Sequence, residues 1–254
     1  MRIELKSERD LLGLRKSGEI LAAVLKILER EAKEGVPLSF FNELTKKLLK
    51  KAGAKPAFLK YRPEGARRAY PAAICTSINN QIVHGIPSDY ILRNGDILKI
   101  DLGVDFKGYI TDAALTVGIG NVNEMAKKLI AVTAKALDNA IKECKPGNFL
   151  GDIGWAIEKT VTENGFKVVS GLTGHGVGFR LHEEPSVYNY GQKGTGIKLS
   201  PGLVLAIEPM TSAGSGETKQ AEDDSFFTRD GSLSAHFEKT VAITENGREV
   251  LTQF

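Results

Sequence analysis

A chain of 254 residues that is 42% apolar is long enough to bury a full core, as one large domain or two halves, and too hydrophobic to be disordered. Its 34 lysines and arginines against 31 aspartates and glutamates leave a net charge of +3, too weak a field to mark nucleic acid as the partner. The two cysteines, Cys75 and Cys144, match neither a disulfide framework nor a Cys-x-x-Cys metal pair, which fits a reducing compartment.

The segment MRIELKSERD is charged and lacks the apolar stretch of a signal peptide. No run reaches the roughly twenty apolar residues that cross a bilayer, so a soluble cytoplasmic protein is expected. Ser7-x-x-Asp10 is a helix start signal, and Leu11, Leu14, Ile20, Leu21, Val24, Leu25 and Leu28 follow it at helical spacing. A second helix is predicted after GVPLS. Its Lys46, Lys47, Lys50 and Lys51, with Lys55 beyond, read as a solvated face, because no aromatic residues alternate with them.

Strand-like runs come next: IVHGI with His84, then GDILKID ending at Asp101, then DAALTV beginning at Asp112. The stretch KIDLGVDFKGYITD reads as a hairpin reversing near Lys107-Gly108. A loop at Lys107-Gly108 would set Asp101 opposite Ala114, with Asp112 two places along the same face. A loop at Phe106-Lys107 would set the two aspartates directly opposite. Either register aims two carboxylates out of one face.

Met125, Leu129, Leu137 and Ile141 predict a third helix; after CKPGN, Ile153, Ile157 and Val161 predict a fourth, with Trp155 assigned to its core side. TGHGV with His175, GLVLAIE ending at Glu208 and EKTVAI beginning at Glu238 then repeat the strand pattern of the first half. Gly95 to Asp101 and Gly202 to Glu208 are both six residues. This weak internal repeat predicts duplicated halves, approximately 1–120 and 121–254. Their strands would join in one antiparallel sheet, an α+β fold with helices over one face and the acidic residues converging on the other.

Carboxylates about 4 Å apart repel by on the order of 4 kcal/mol at an effective dielectric near 20. Shared protons, arginine partners or cations could relieve Asp101, Asp112, Glu208 and Glu238. No arginine lies near them in sequence, and two divalent ions would cancel four charges. An isolated acid pair would also suit glycoside hydrolysis, but the histidines argue for metal. His84, His175 and His182 sit in VHGIP, GHGVG and LHEEP; His175 would complete a mixed nitrogen and oxygen site suited to manganese, iron, cobalt or zinc. His236, two before Glu238 and without a glycine flank, reads as an ordinary core or surface histidine. GHGVG is followed by FRLHEEP rather than a helix, which excludes a dinucleotide fingerprint.

The ordered set Asp101, Asp112, His175, Glu208 and Glu238, in NNQIVHGIP, KIDLGVDFKGYITD, GHGVGFRLHEEP, LAIEPM and SLSAHFEKTVAIT, resembles the five-ligand site of the methionine aminopeptidases and their relatives, the pita-bread metallopeptidases. The likeness covers nearly the whole chain. The 26-residue interval from His182 to Glu208 lacks the large insertion of type II enzymes, so the resemblance is to type I. It implies the pita-bread fold, with pseudo-twofold halves, a curved antiparallel sheet covered by helices on one face, and a single catalytic domain over 1–254. It also implies two divalent ions (Co, Mn, Fe or Zn): Asp101 would chelate one, Asp112 and Glu238 would bridge both, and His175 with Glu208 would hold the other.

By the same resemblance, metal-bound water would attack the first peptide bond of a nascent chain and release its initiator methionine. Glu208 would shuttle the proton, and His84 and His182 would bind the substrate and the tetrahedral centre. The implied partners are nascent polypeptide N-termini, with at most a transient ribosome contact, no specific nucleic acid and no membrane; the implied state is a monomer. In the side-chain pocket Tyr70 and Cys75 match the family pattern, whereas Leu181 stands where an aromatic residue is usual. The segment 56–71 is longer than usual, and its Arg62, Arg67 and Arg68 read as an exposed loop. The alternatives are a broader or proline-directed aminopeptidase of the same fold, or a non-catalytic binding module, which would have lost ligands.

Overall fold

Ser7 opens the first helix through a reciprocal capping box: its hydroxyl oxygen accepts from the Asp10 N–H, and the Asp10 carboxylate accepts from the Ser7 N–H at 2.9 Å. The computed structural model describes residues 3–63 and 65–254. In its first half, α1 (Glu8–Glu31) and α2 (Leu38–Ala52) precede β1 (Lys55–Pro56), β2 (Cys75–Ile78), β3 (Gln81–Val83), β4 (Ile97–Phe106) and β5 (Tyr109–Gly118). The second half starts with α3 (Glu124–Glu143) and α4 (Leu150–Glu163), followed by β6 (Lys167–Val168), β7 (Gly174–Gly176), β8 (Glu183–Val187) and β9 (Val204–Ile207). It closes with β10 (Met210–Ser212), β11 (Thr218–Gln220), β12 (Phe226–Thr228), β13 (Ser234–His236), β14 (Glu238–Thr244) and β15 (Gly247–Val250).

Strands from both halves form one nine-stranded sheet in the order β1-β4-β5-β14-β9-β7-β8, with β2 also paired to β4 and β15 to β14. Every pairing within it is antiparallel, as the repeat predicts. The halves meet where β5 pairs with β14, Ala114 opposite Glu238. Alternation along each strand decides which side is apolar. Leu98, Ile100, Leu102 and Val104 of β4, with Ala113 and Leu115 of β5, pack against Leu21, Leu25, Leu28 and Phe41 of α1 and α2. Leu205, Ile207, Val241 and Ile243 pack in the same way under Leu129, Leu137, Ile153 and Ile157 of α3 and α4. Phe237 touches both clusters and joins them. Each such buried leucine or isoleucine contributes about 1.5–3 kcal/mol, so the helices are held by this face rather than by propensity alone.

Two predictions need adjusting. Met125 is 44% exposed, because the buried stripe of α3 is built on Ala126, Leu129, Ala136 and Ala140, whose alanines let α4 approach. Trp155 is half-buried rather than core: its ring lies 3.8 Å from the Lys193 ammonium and 4.9 Å from that of Lys159, a cation–π stack at the surface. The α2 lysines do face solvent, but Lys46 is tied to Glu43 at 2.8 Å. Among the described residues no helix is long and apolar enough to cross a membrane.

Helix α1 also locks onto the carboxy-terminal segment. A Cβ built on Gly18 would lie 2.0 Å from the Leu251 carbonyl oxygen, a backbone atom that cannot swing aside. Gly18→Ala is therefore expected to destabilise the protein by about 1–3 kcal/mol, although alanine is the better helix former by up to about 1 kcal/mol. Urea denaturation measures this; an unchanged or raised midpoint would show that the contact is slack.

Candidate metal centre

The β4–β5 hairpin turns at Lys107 and Gly108, both with positive φ (55° and 87°), which selects the first of the two registers open to the sequence. Asp101 faces Ala114, and Asp112 faces Gly103. Reading across the sheet, one row runs Cys75, Asp101, Ala114, Glu238, and the pairing of Lys239 with Ile207 carries it on to Glu208. The adjacent row runs Gly103, Asp112, then Thr240, Ala206 and His175. Thr240 secures it, since its hydroxyl donates to the Asp112 carbonyl at 2.7 Å and accepts from the Asp112 N–H at 2.9 Å. Ala114 stands between Asp101 and Glu238 in the first row and Gly103 beside Asp112 in the second, which leaves space for these carboxylates to lean together, while Glu238 and Glu208 are adjacent in their row.

All five expected ligands lie on this one face. Asp101, Asp112, Glu208 and Glu238 are buried, at 8%, 3%, 9% and 2% exposure. Asp112, His175 and Glu238 offer ligand atoms within 4.8 Å of one another, and Glu238 also does so with Glu208 and His236. The His175 Nδ1 is 2.9 Å from the Gly176 carbonyl, a contact that places its proton there and leaves the Nε2 lone pair free, 3.5 Å from Glu208 Oε1. No lysine or arginine among the described residues pairs with the four acids; the nearby Lys99 ammonium instead donates to the Asn79 and Ser234 carbonyls at 2.7 and 3.2 Å. Asp101 Oδ1, Asp112 Oδ1 and Glu238 Oε1 are buried acceptors with no donor. Buried oxygens without protons to accept, mixed with imidazole nitrogen, suit divalent cations.

His236, expected to be an ordinary core or surface histidine, is buried among the candidate ligands. It is 1% exposed, neither ring nitrogen has a hydrogen-bond partner, and its Nε2 lies 3.4 Å from Glu208 Oε2. The signal was present: residues two apart on extended chain share a face, so His236 points where Glu238 points and Phe237 points into the core.

Above the acids the walls divide by chemistry. Phe58, Cys75 and Leu181, with Tyr61 and Tyr70 at their edge, form a small apolar cluster, and all five line the same pocket as the acids. Tyr70 is fixed by donating to the Gly85 carbonyl at 2.8 Å. His182 lies between, 3.0 Å through Nδ1 from the Tyr61 hydroxyl and 4.4 Å between ring centroids from His175. His84, in the left-handed region at φ 61°, stacks edge-on against Phe226. The arginine-bearing loop is exposed, as expected, yet Pro63, Ala66 and Arg68 also line the pocket mouth opposite Asp223 and Asp224. Residue 64 of that loop lies outside the described residues.

Glu183, beside His182, was also missed. One carboxylate oxygen accepts from the Phe179 and Arg180 N–H groups at 2.7 and 2.8 Å, and the other pairs with the buried Lys6. This pair pins the turn that carries Leu181 and His182. Removing one partner, as in Lys6→Met, should cost about 3–5 kcal/mol of stability by leaving a buried charge unpaired; thermal or urea unfolding would show it, and a loss under about 1 kcal/mol would contradict it.

Burial raises the pKa of all four acids. Desolvation pushes Asp101 to about 7 against the nearby His236, which lowers it, and pushes Glu208 to about 7 against His175. Asp112 and Glu238 are raised well above their ordinary values, both first by desolvation, then Asp112 by Asp101 and Glu208 and Glu238 by Asp112, Glu208 and Asp101. Burial lowers His236 to about 4 and also lowers His84, so both are neutral at pH 7. His182 is pulled down by the pocket walls and by His175, an effect that its solvent-facing edge moderates. For Asp101 and Glu208 the unfolded chain releases its protons near 3.8 and 4.5 while the folded, metal-free site holds them to about 7. Their protonation therefore stabilises the fold fully at low pH and is lost as pH rises through 7. Urea midpoints of demetallated protein should fall from pH 5 to pH 8, and saturating divalent metal should reverse that slope.

Three comparisons bear on this arrangement. The model of metallopeptidase family M24 matches residues 13–245. A methionine aminopeptidase from Aquifex aeolicus is 44% identical over the whole of both chains, and one from Clostridium perfringens is 42% identical over 98% of each. The crystal structure of the Thermotoga maritima methionine aminopeptidase superposes with a TM-score of 0.95 at 40% identity, covering all of both chains. A prolidase from Pyrococcus horikoshii, 24% identical with a TM-score of 0.78, shares the fold over 98% of this chain and 63% of its own. The curved antiparallel sheet with its four helices is the pita-bread fold, and the chain belongs to metallopeptidase family M24.

Proposed function

We propose that the protein is a metal-dependent aminopeptidase that removes the initiator methionine from nascent polypeptides. One observation carries the reading: two groups of ligand-type side chains share Glu238 at the floor of a pocket whose other wall is Phe58, Tyr61, Tyr70, Cys75 and Leu181. In this reading Asp101, Asp112, His175, Glu208 and Glu238 would hold two divalent ions, and Asp112 and Glu238 are the residues that would be common to both. Such ions supply Lewis acidity, which neutralises the carboxylates, acidifies water and polarises a carbonyl oxygen.

The chain's own groups do the rest. The apolar wall takes the flexible methionine side chain and excludes water from it, while closure at Leu181 and Cys75 limits its length. Neutral His182, held through Nδ1 by Tyr61, presents Nε2 to the peptide carbonyl, and His84 from the opposite rim presents its ring to the peptide nitrogen side. These contacts gain strength as charge develops on the tetrahedral centre. Glu208 takes the proton from the attacking water on one carboxylate oxygen and gives it to the departing amine. Residues 1–254 act as one catalytic domain, and the repeated helix–helix–strand order of 1–120 and 121–254 reads as a duplication that placed one acid pair in each half. The buried free thiols of Cys75 and Cys144 suit a reducing cytoplasm.

Demetallated protein reloaded with single metals should release methionine from Met-Ala-Ser, and Met-Ala-Ser should rank among the best substrates of a peptide panel. Preference for x-Pro peptides would instead identify a proline-directed enzyme, and no hydrolysis with any metal would leave only a binding role. Glu238→Ala should lower turnover by about a thousandfold or more, because it removes a group common to both ligand clusters; near-normal activity in that variant would refute the assignment.

A further inference from the structure

We propose that His236 is a sixth ligand of the metal centre, an imidazole that joins Glu208 and Glu238 and makes the Glu208 side of the site a two-histidine site. The inference rests on the metallopeptidase reading above and adds to it a residue outside the five-ligand set. Four observations carry it. His236 is 1% exposed, so its ring nitrogens have no access to bulk water. Neither Nδ1 nor Nε2 has a hydrogen-bond partner, an arrangement that costs about 1–3 kcal/mol for a buried polar group unless something else satisfies it. Its ligand nitrogen lies within 4.8 Å of oxygens of both Glu208 and Glu238, a spacing that three ligands of one ion can share. Its backbone is immobilised as well, with the His236 N–H and carbonyl both hydrogen-bonded to the Thr116 hydroxyl at 2.9 and 2.6 Å.

Geometry also accounts for the direction of the ring. β13 ends at His236 and β14 begins at Glu238, and the alternation through Phe237 sends the imidazole and the carboxylate to the same side. With His175 approaching Glu208 Oε1 at 3.5 Å and His236 approaching Oε2 at 3.4 Å, Glu208 stands between two imidazoles. A site with two imidazoles favours cobalt, iron or zinc over manganese more strongly than a site with one.

The test uses metal binding rather than turnover. Full-length protein is demetallated, reloaded with Co(II), and its strongly shifted, exchangeable imidazole N–H resonances are counted by proton NMR with nitrogen-15 labelled histidine. Two such resonances are expected in the wild type and one in His236→Gln. Calorimetric titration should show Co(II) affinity falling by about tenfold or more in His236→Gln, with a smaller loss for Mn(II). One shifted imidazole in the wild type would overturn the proposal, placing His236 beside Glu208 as a hydrogen-bonding neighbour only, and this count needs no variant to fold. Equal Co(II) affinity in wild type and variant would overturn it too. A wild type that binds no divalent ion at all would overturn the metallopeptidase reading itself.

Discussion

Everything in this molecule is arranged around four carboxylates that repel one another at the largely buried floor of a pocket. At an effective dielectric near 20 each close pair costs on the order of 4 kcal/mol, and burial adds a desolvation penalty that raises every one of their pKa values. The backbone answers with register. Asp101 and Glu238 are separated by Ala114 in one row, and Asp112 is flanked by Gly103 and Thr240 in the next, so no two acids are direct cross-strand neighbours between β4, β5 and β14. The side chains can converge on a common centre while their Cα atoms stay one strand apart, about 4.8 Å, or more.

Such a cluster is tolerable because the opposite face is strongly apolar. The two helix pairs cover Leu98, Ile100 and Leu102 on one side of the junction and Leu205, Ile207 and Val241 on the other, with Phe237 bridging them. The helices do not touch the chemistry directly. They hold the sheet in the one curvature that brings β4, β5, β7, β9 and β14 to the same centre, and the Lys6–Glu183 pair fixes the turn that adds Leu181 and His182. Strands carry Asp101, Asp112, His175 and Glu238, and Glu208 directly follows β9, whereas the substrate-facing Tyr61, His84 and His182 come from loops or strand ends. That division separates what must not move from what must admit a peptide.

Much of this was legible in the sequence, for identifiable reasons. Period-2 alternation and a glycine turn are strong local signals, so the β4–β5 hairpin and its shared acid face could be read directly, and only the choice between two loop positions waited for the φ values of Lys107 and Gly108. Helix α1 could be read from Ser7-x-x-Asp10 and its leucines. Where reading failed, the cause was a partner distant in sequence. Met125 fits the helical period, but its side of α3 faces solvent because α4 packs against the alanines. Trp155 stays at the surface because Lys193, nearly forty residues away, stacks on it. Glu183 matters because Lys6 reaches it from the other end of the chain. His236 was different: the strand rule that found Asp101 and Asp112 applied equally to it, and the absence of a flanking glycine was the wrong criterion, since a buried strand can aim an imidazole without any unusual backbone conformation.

The same electrostatics ties stability to function. A fold whose centre must either hold protons or bind cations has its folding equilibrium coupled to both, because anything bound by the native site and not by the unfolded chain shifts the balance toward the native state. The acids come from both halves, Asp101 and Asp112 from the first and Glu208 and Glu238 from the second. Cations bound at that junction would therefore act across the β5–β14 pairing, where Ala114 meets Glu238, as well as on catalysis. Proton competition follows from the same geometry: near pH 7 the protons that relieve Asp101 and Glu208 occupy the oxygens that a cation needs. As those protons leave, the metal-free fold loses stability while its affinity for cations and the availability of Glu208 as a base rise, so a divalent ion would have to take over the role of the protons for the molecule to be both assembled and active.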